Sequence, residues 1–161
     1  MGNTIFLGFP DAERLDTMVK FFKKNAFEVS SAAKGPEVLQ KLSSMNTVPG
    51  IVVLSAQLRD TTAVDICKQL KGTPKFNGVT FLIALPEEMA EQPYADIGIT
   101  EFIDESCDND RLLRKINVIL NYGKTAIAGK SLAAKLTPLL VIGGVVLVFI
   151  FFLMKILASF K

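Results

Sequence analysis

Histidine is absent from the 161 residues. The chain therefore lacks the side chain most often used for proton transfer near neutral pH. Its only cysteines, Cys67 and Cys107, form no closely spaced pair and have no histidine with which to complete a zinc site. They read as free thiols of a reducing cytoplasm. Basic charge is scarce where a nucleic-acid binder needs it: residues 1–122 hold 13 Lys and Arg against 16 Asp and Glu, a net of −3, which argues against nucleic acid as a partner. Acidic charge is missing from residues 123–161, which carry five Lys and no carboxylate side chain. An export signal is also missing, because the segment Met1 to Phe6 has neither a basic start nor an apolar core. Phe6 stands where a myristoylation motif has Ser or Thr. The large N-terminal part is accordingly expected on the cytoplasmic side.

What the chain does have is one long apolar run near its end, Leu136 to Met154, uncharged and bracketed by Lys135 and Lys155. As a helix it spans about 28 Å, close to the roughly 30 Å of a bilayer's hydrocarbon core. Its Leu, Ile, Val and Phe residues leave no polar face, which a helix on a soluble core normally keeps. The run predicts a single transmembrane helix over 136–154 acting as a tail anchor, with a short tail at 155–161. The lysines on either side, Lys124, Lys130 and Lys135 against Lys155 and Lys161, place the N-terminal side in the cytoplasm, and a bacterial inner membrane is the expected host. Gly143 and Gly144 permit close approach of a second helix, although no small-xxx-small pair is complete.

Residues 1–122 are enough for one domain with a single hydrophobic core, joined to the span by a basic linker at 123–135. Short apolar runs alternate there with amphipathic segments. Strands are expected at Thr4 to Gly8, Phe27 to Ala32, Ile51 to Leu54, Val79 to Leu85 and Thr100 to Asp104. The first helix opens at Asp11 and turns Leu15, Met18, Val19, Phe22 and Ala26 inward. Gly35-Pro36 breaks the second strand, and a second helix follows from Glu37 to Met45. A third presents Ala63, Ile66, Cys67 and Leu70. A fourth, within 87–97, is kept short by Pro93. The last, capped from Asp108, Asn109 or Asp110, presents Leu112, Leu113, Ile116, Ile119 and Leu120. Five βα units in succession argue for an α/β, doubly wound parallel sheet of flavodoxin-like (βα)5 type, with strand order 2-1-3-4-5.

Three stretches carry a resemblance: FEVSSAAKGPEVL from Phe27 to Leu39, PGIVVLSAQLRDTTAVDICKQL from Pro49 to Leu70, and IGITEFIDES from Ile97 to Ser106. In order and spacing they resemble the response-regulator receiver domain of two-component signalling, over about residues 3–122. The resemblance implies a Mg²⁺ site built by two acids after the first strand and a phosphoacceptor Asp after the third. It also implies a Thr or Ser after the fourth strand and a Lys after the fifth. This chain has Phe9 and Pro10 (or Gly8 and Phe9) at the acidic pair, Ser55 at the acceptor, Leu85 (or Ala84) at the hydroxyl position and Glu105 at the lysine. A lone Asp11 does not build a metal site, and Glu105 is negative where the family has a positive charge. Phe102 falls at the family's rotating aromatic position. The stretch from Gly123 to Ser131 looks like a Walker A loop, but Lys124 occupies the place of its first Gly and no strand precedes it.

These residues predict a pseudo-receiver: no enzyme, no cofactor, no metal, and no phosphotransfer. Its work would be protein–protein interaction in signal transduction, as an adaptor on the cytoplasmic face. The family's interaction face of fourth helix, fifth strand and fifth helix would here present Glu87, Glu88 and Glu91 beside Phe102, Arg111, Arg114, Lys115 and Val118. Partners are expected to be proteins, including an integral membrane complex or a second copy of the chain, together with lipid around the span. The alternative is a structural or accessory subunit of a larger membrane assembly, held through its transmembrane helix.

Overall fold

The computed structural model describes residues 3–121. The linker 123–135, the apolar run 136–154 and the tail 155–161 lie outside the described residues, and among the described residues no helix is long and apolar enough to cross a membrane. Strands β1 (Thr4–Gly8), β2 (Glu28–Ala32), β3 (Ile51–Ser55), β4 (Thr80–Leu85) and β5 (Glu101–Asp104) form one sheet in the order β2-β1-β3-β4-β5. All four pairings are parallel. The helices between them are α1 (Ala12–Lys24), α2 (Gly35–Ser44), α3 (Ala63–Lys71) and the single turn α4 (Gln92–Ala95), with a 3-10 turn at Pro74–Phe76. Residues 109–121 are helical and form α5.

The central strands are buried along their whole length, as a parallel sheet covered on both faces requires. Alternate residues serve opposite sides. Phe6, Val52, Leu54, Phe81 and Ile83 belong to one cluster with Val38 and Leu42 of α2 and Ala63, Ile66, Cys67 and Leu70 of α3. Ile5, Leu7, Val53 and Leu82 are equally buried outside that cluster, as are Leu15, Met18 and Phe22 of α1 and Leu112 and Ile116 of α5. The ion pair of Lys115 with Glu101, at 2.7 Å, ties α5 to the first residue of β5. α5 therefore runs back along the sheet from the edge where β5 ends.

The starts of α1, α2, α3 and α5 are each anchored by a side chain, whereas α4 has no side-chain cap. Asp11 accepts the N–H groups of Glu13 and Arg14 at 2.9 and 3.0 Å, and Thr62 caps α3 while donating to Asp65 at 2.7 Å. Asp108 accepts from Arg111 N–H at 2.6 Å and is the cap of α5. α2 opens where the sequence predicted a break: Pro36 sits in its first turn, a position that needs no N–H, and Gly35 N–H donates to Asp60 at 2.8 Å. A Cβ on Gly35 would lie 2.0 Å from Thr61, so only glycine admits this approach. Pro93 likewise lies in the first turn of α4, which has one turn. Among the expected inward residues of α5, Leu113, Ile119 and Leu120 are only half-buried, as is Val19 of α1.

Ala26 is not on the inner face of α1 but beyond its end and exposed, with φ of 62°. Its N–H donates to the Lys23 carbonyl and that of Phe27 to the Phe22 carbonyl, both at 3.1 Å. The Phe22 and Phe27 rings meet edge to face at 5.7 Å. This is a Schellman cap with alanine in the left-handed position that glycine usually fills. Phe27 consequently belongs to the cap, and β2 begins at Glu28. Replacing Ala26 with Gly removes the left-handed penalty on a Cβ-bearing residue, about 1 kcal/mol, offset in part by added freedom of the unfolded chain. The expected outcome is a higher urea midpoint at unchanged slope, and a fall in midpoint would contradict this account of the cap.

Candidate functional site

Strands β1, β3, β4 and β5 all end at one edge, and their last residues converge there. Ser55 closes β3 and is fully buried. Its hydroxyl donates to the Glu105 carboxylate and lies 2.9 Å from the Gln57 carbonyl oxygen. Glu105 is placed by its own backbone, whose N–H donates to the Leu85 carbonyl at 2.9 Å. The Arg14 guanidinium donates to the Glu105 carbonyl and lies 5.2 Å from the centre of the Phe9 ring, a cation–π distance. Arg59 Nε donates to the Pro10 carbonyl at 2.8 Å. The five positions that the resemblance singled out thus share one edge: Phe9, Ser55 and Leu85 are buried there, and Pro10 and Glu105 are half-buried.

These groups do not fit a divalent cation. Mg²⁺ takes oxygen ligands with several waters, whereas Phe9 offers a ring already facing a guanidinium. The Asp11 carboxylate is used to cap α1, and among the described residues no group of three or more potential ligands comes together. The Ser55 hydroxyl has no solvent exposure, and its proton is directed at the Glu105 carboxylate.

Burial pushes the thiol pKa of Cys67 up to about 12, against a smaller opposing pull from Lys71. Cys107, half-buried, is also raised by desolvation, with Arg14 and Arg111 pulling the other way. Both therefore stay protonated at neutral pH and are poor nucleophiles. Asp104 accepts the hydroxyl and the N–H of Ser106, both at 2.7 Å, and these bonds hold its carboxyl below the ordinary range.

Beside this edge a groove of about 640 Å³ runs between the segment 85–91 that precedes α4, the strand β5 and α5. Met89, Phe102 and Ile103 supply apolar lining, and Glu87 and Glu91 are set among Arg111, Arg114 and Lys115. The structure therefore brings six of the eight expected face residues into one concavity. Glu88 lines an adjoining groove of about 470 Å³ with Arg14 and Glu105. Val118 is outside both and is 48% exposed. Phe102 is half-buried, its ring edge-on to buried Tyr94 at 6.0 Å.

Sequence reasoning missed Arg14, Gln57 and Arg59. Arg14 carried a signal, since it stands one helical turn after Phe9 and Pro10 and on the side of α1 that Leu15 and Met18 bury. Gln57 and Arg59 sit in an irregular loop whose path no periodicity reveals.

No protein-family model matches the sequence, and no curated protein matches it. Solved structures do. The chemotaxis response regulator CheY4 of Vibrio cholerae superposes with a TM-score of 0.67 at 15% identity, over 74% of this chain and 99% of that one. The signal receiver domain of a putative Luxo repressor protein from Vibrio parahaemolyticus gives 0.67 at 14%, over 80% and 97%. The non-phosphorylated HemR receiver domain from Leptospira biflexa gives 0.62 at 19%, over 72% and 92%. The domain has the receiver fold. At such identities the likeness is one of architecture, and the receiver edge is where this chain places Ser55, Glu105 and Arg14.

The depressed pKa of Asp104 has a consequence for acid stability. A carboxyl whose folded pKa lies below its unfolded value stabilises the fold above the ordinary carboxylate range, and loses that contribution as pH falls through the lowered value. Ser106→Ala is expected to move the Asp104 pKa up toward its usual range, read by NMR titration of the side-chain carboxyl carbon. An unmoved pKa would assign the shift to the backbone N–H of residue 106, which alanine keeps, ahead of the charge of Arg111.

Proposed function

We propose that the domain is a receiver-like signalling module that accepts no phosphoryl group and acts by binding other proteins. On this reading it is held at the cytoplasmic face of a membrane by the apolar run 136–154. The observation that carries it is the contact of the buried Ser55 hydroxyl with Glu105. Phosphoryl transfer to a receiver edge needs a nucleophile, a cation to gather the phosphate oxygens and room for an anion. Here the acceptor position is a hydroxyl already committed to a carboxylate, the cation is a guanidinium engaged with Phe9 and the Glu105 carbonyl, and the Leu85 position adds no hydroxyl. The receiver fold supports the broader signalling role.

The groove between the segment 85–91, β5 and α5 is the surface we assign to partner binding. Its apolar floor provides burial, while the mixed charges of Glu87, Glu91, Arg111 and Arg114 set register and encounter rate more than affinity. The competing reading is an accessory subunit of a membrane assembly, for which Gly143 and Gly144 in the apolar run are the favourable feature.

Purified protein incubated with acetyl phosphate and Mg²⁺ is expected to give no acyl-phosphate adduct by intact mass under acidic quench, and an adduct would overturn the phosphorylation-incompetent reading. Reversing Arg111 and Arg114 to Glu should deplete partners recovered from mild-detergent extracts. An unchanged set of partners would remove the groove from consideration. Exchange of residues 136–154 for an unrelated apolar helix should leave an adaptor functional, whereas loss of function would favour the accessory subunit.

A further inference from the structure

The folded domain is electrically polar along the direction of its strands. At the edge where the strands end lie Asp11, Glu13, Asp60, Glu87, Glu88 and Glu91, followed by the acidic run around β5's end, Asp104, Glu105, Asp108 and Asp110. Because every strand is parallel, this is also where the helices begin, and acids there complement the positive ends of the helix dipoles. The opposite edge receives the helix ends with their lysines: Lys23 and Lys24 of α1, Lys68 and Lys71 of α3, and Lys75 just beyond.

Two of these lysines serve the fold. Lys71 donates to the Ile97 and Gly98 carbonyls at 2.8 and 2.7 Å, and Lys75 to those of Ser43 and Met45 at 2.7 and 2.8 Å. Neither bond cancels a charge. Lys23, Lys24 and Lys68 are exposed and have no ion-pair partner among the described residues. Of the carboxylates at this edge, Glu101 is paired with Lys115 at 2.7 Å, whereas Glu28 and Asp96, which accept from the Thr4 hydroxyl at 3.0 Å and the Gln92 amide at 2.7 Å, keep their charge and are outnumbered by Lys23, Lys24, Lys68, Lys71 and Lys75. The free lysines lie on helices from both sides of the sheet, so they form the end of the domain and not a stripe along one helix.

The chain leaves the domain at this same end. α5 has reached the start of β5 by Lys115, and residue 119 lies about 6 Å further along the helix. The sequence then continues through Lys124, Lys130 and Lys135 to the apolar run. We propose that the lysine edge of the folded domain docks on an anionic lipid surface, with the acidic edge and its groove turned away from the bilayer. The proposal rests on the anchoring reading for its geometry, since a tether leaving from the lysine edge brings that edge to the membrane first. Anionic headgroups attract this edge and repel the other, whose carboxylates outnumber Arg14, Lys34, Arg59 and Arg111, so charge reinforces the orientation that the tether favours.

The full-length chain is to be reconstituted in nanodiscs of phosphatidylcholine alone or mixed with phosphatidylglycerol, and lysine acylation rates measured residue by residue by mass spectrometry. Lys23, Lys24 and Lys68 should lose reactivity in the anionic discs relative to Lys34, which precedes α2 at the acidic edge, and high salt should restore it. The exposed triple variant K23E/K24E/K68E should stay in both discs and lose the dependence of Lys71 and Lys75 acylation on lipid composition. Equal reactivity in both discs, with the chain retained, would overturn the docking and leave the anchor standing. Retention by anionic discs only, reversed by salt, would overturn the anchor and uphold the lysine contact. Retention by neither would overturn both.

Discussion

A strand running parallel to its neighbour has to be reached by a crossover, and in this domain each crossover is a helix or a helical turn. That requirement sends every strand end and every helix start to one edge, and every helix end to the other. The hydrophobic drive to cover Ile5, Phe6, Leu7 and the run Ile51 to Leu54 on both faces holds the arrangement in place. Once it is fixed, local helix chemistry acts globally. Caps such as Asp11, Thr62 and Asp108 and first-turn acids collect on one side, and last-turn lysines on the other. The polarity of the molecule is a sum of ordinary choices made helix by helix.

At the strand-end edge the same convergence brings together groups far apart in sequence. Arg14, Ser55 and Glu105 come from α1, β3 and the segment after β5, and each satisfies another. The arrangement is internally neutral in its logic: the guanidinium meets a carbonyl and a ring, and the carboxylate meets a hydroxyl. The edge turns these groups toward one another. Its neighbouring groove, by contrast, keeps charges of both signs on its walls over an apolar floor.

Most of the architecture was legible because strand and helix periods differ. The β-branched run at 51–54 and the alternation of breakers with amphipathic segments gave the right elements in the right order. Errors fell where conformation is decided by a partner distant in the chain. Gly35 and Pro36 looked like a break because nothing nearby shows that Asp60 will receive the freed N–H. Ala26 continued the helical period of α1, and only the Phe22–Phe27 ring contact reveals that the chain has already turned. At the edge, the resemblance of short stretches pointed to Phe9, Pro10, Ser55, Leu85 and Glu105, and the fold sets these residues at one edge. That Glu105 would turn to Ser55, and that Arg14 would lie over Phe9, depended on tertiary distances that spacing does not encode. Six of the residues expected on the face sit on elements whose positions the topology sets and line one groove, while Val118 is exposed on the outer side of α5 beside it.

The contrast between the two thiols has a practical side. Cys67 is sealed in the interior and Cys107 is half-open beside the strand-end edge, so a maleimide or nitroxide reagent should discriminate between them by access, reacting slowly with Cys107 because its thiol pKa is raised. The unaltered polypeptide thereby offers one addressable sulfur next to the surface of greatest interest. A fluorophore or spin label introduced there would report on events at the groove without engineering a cysteine-free background first.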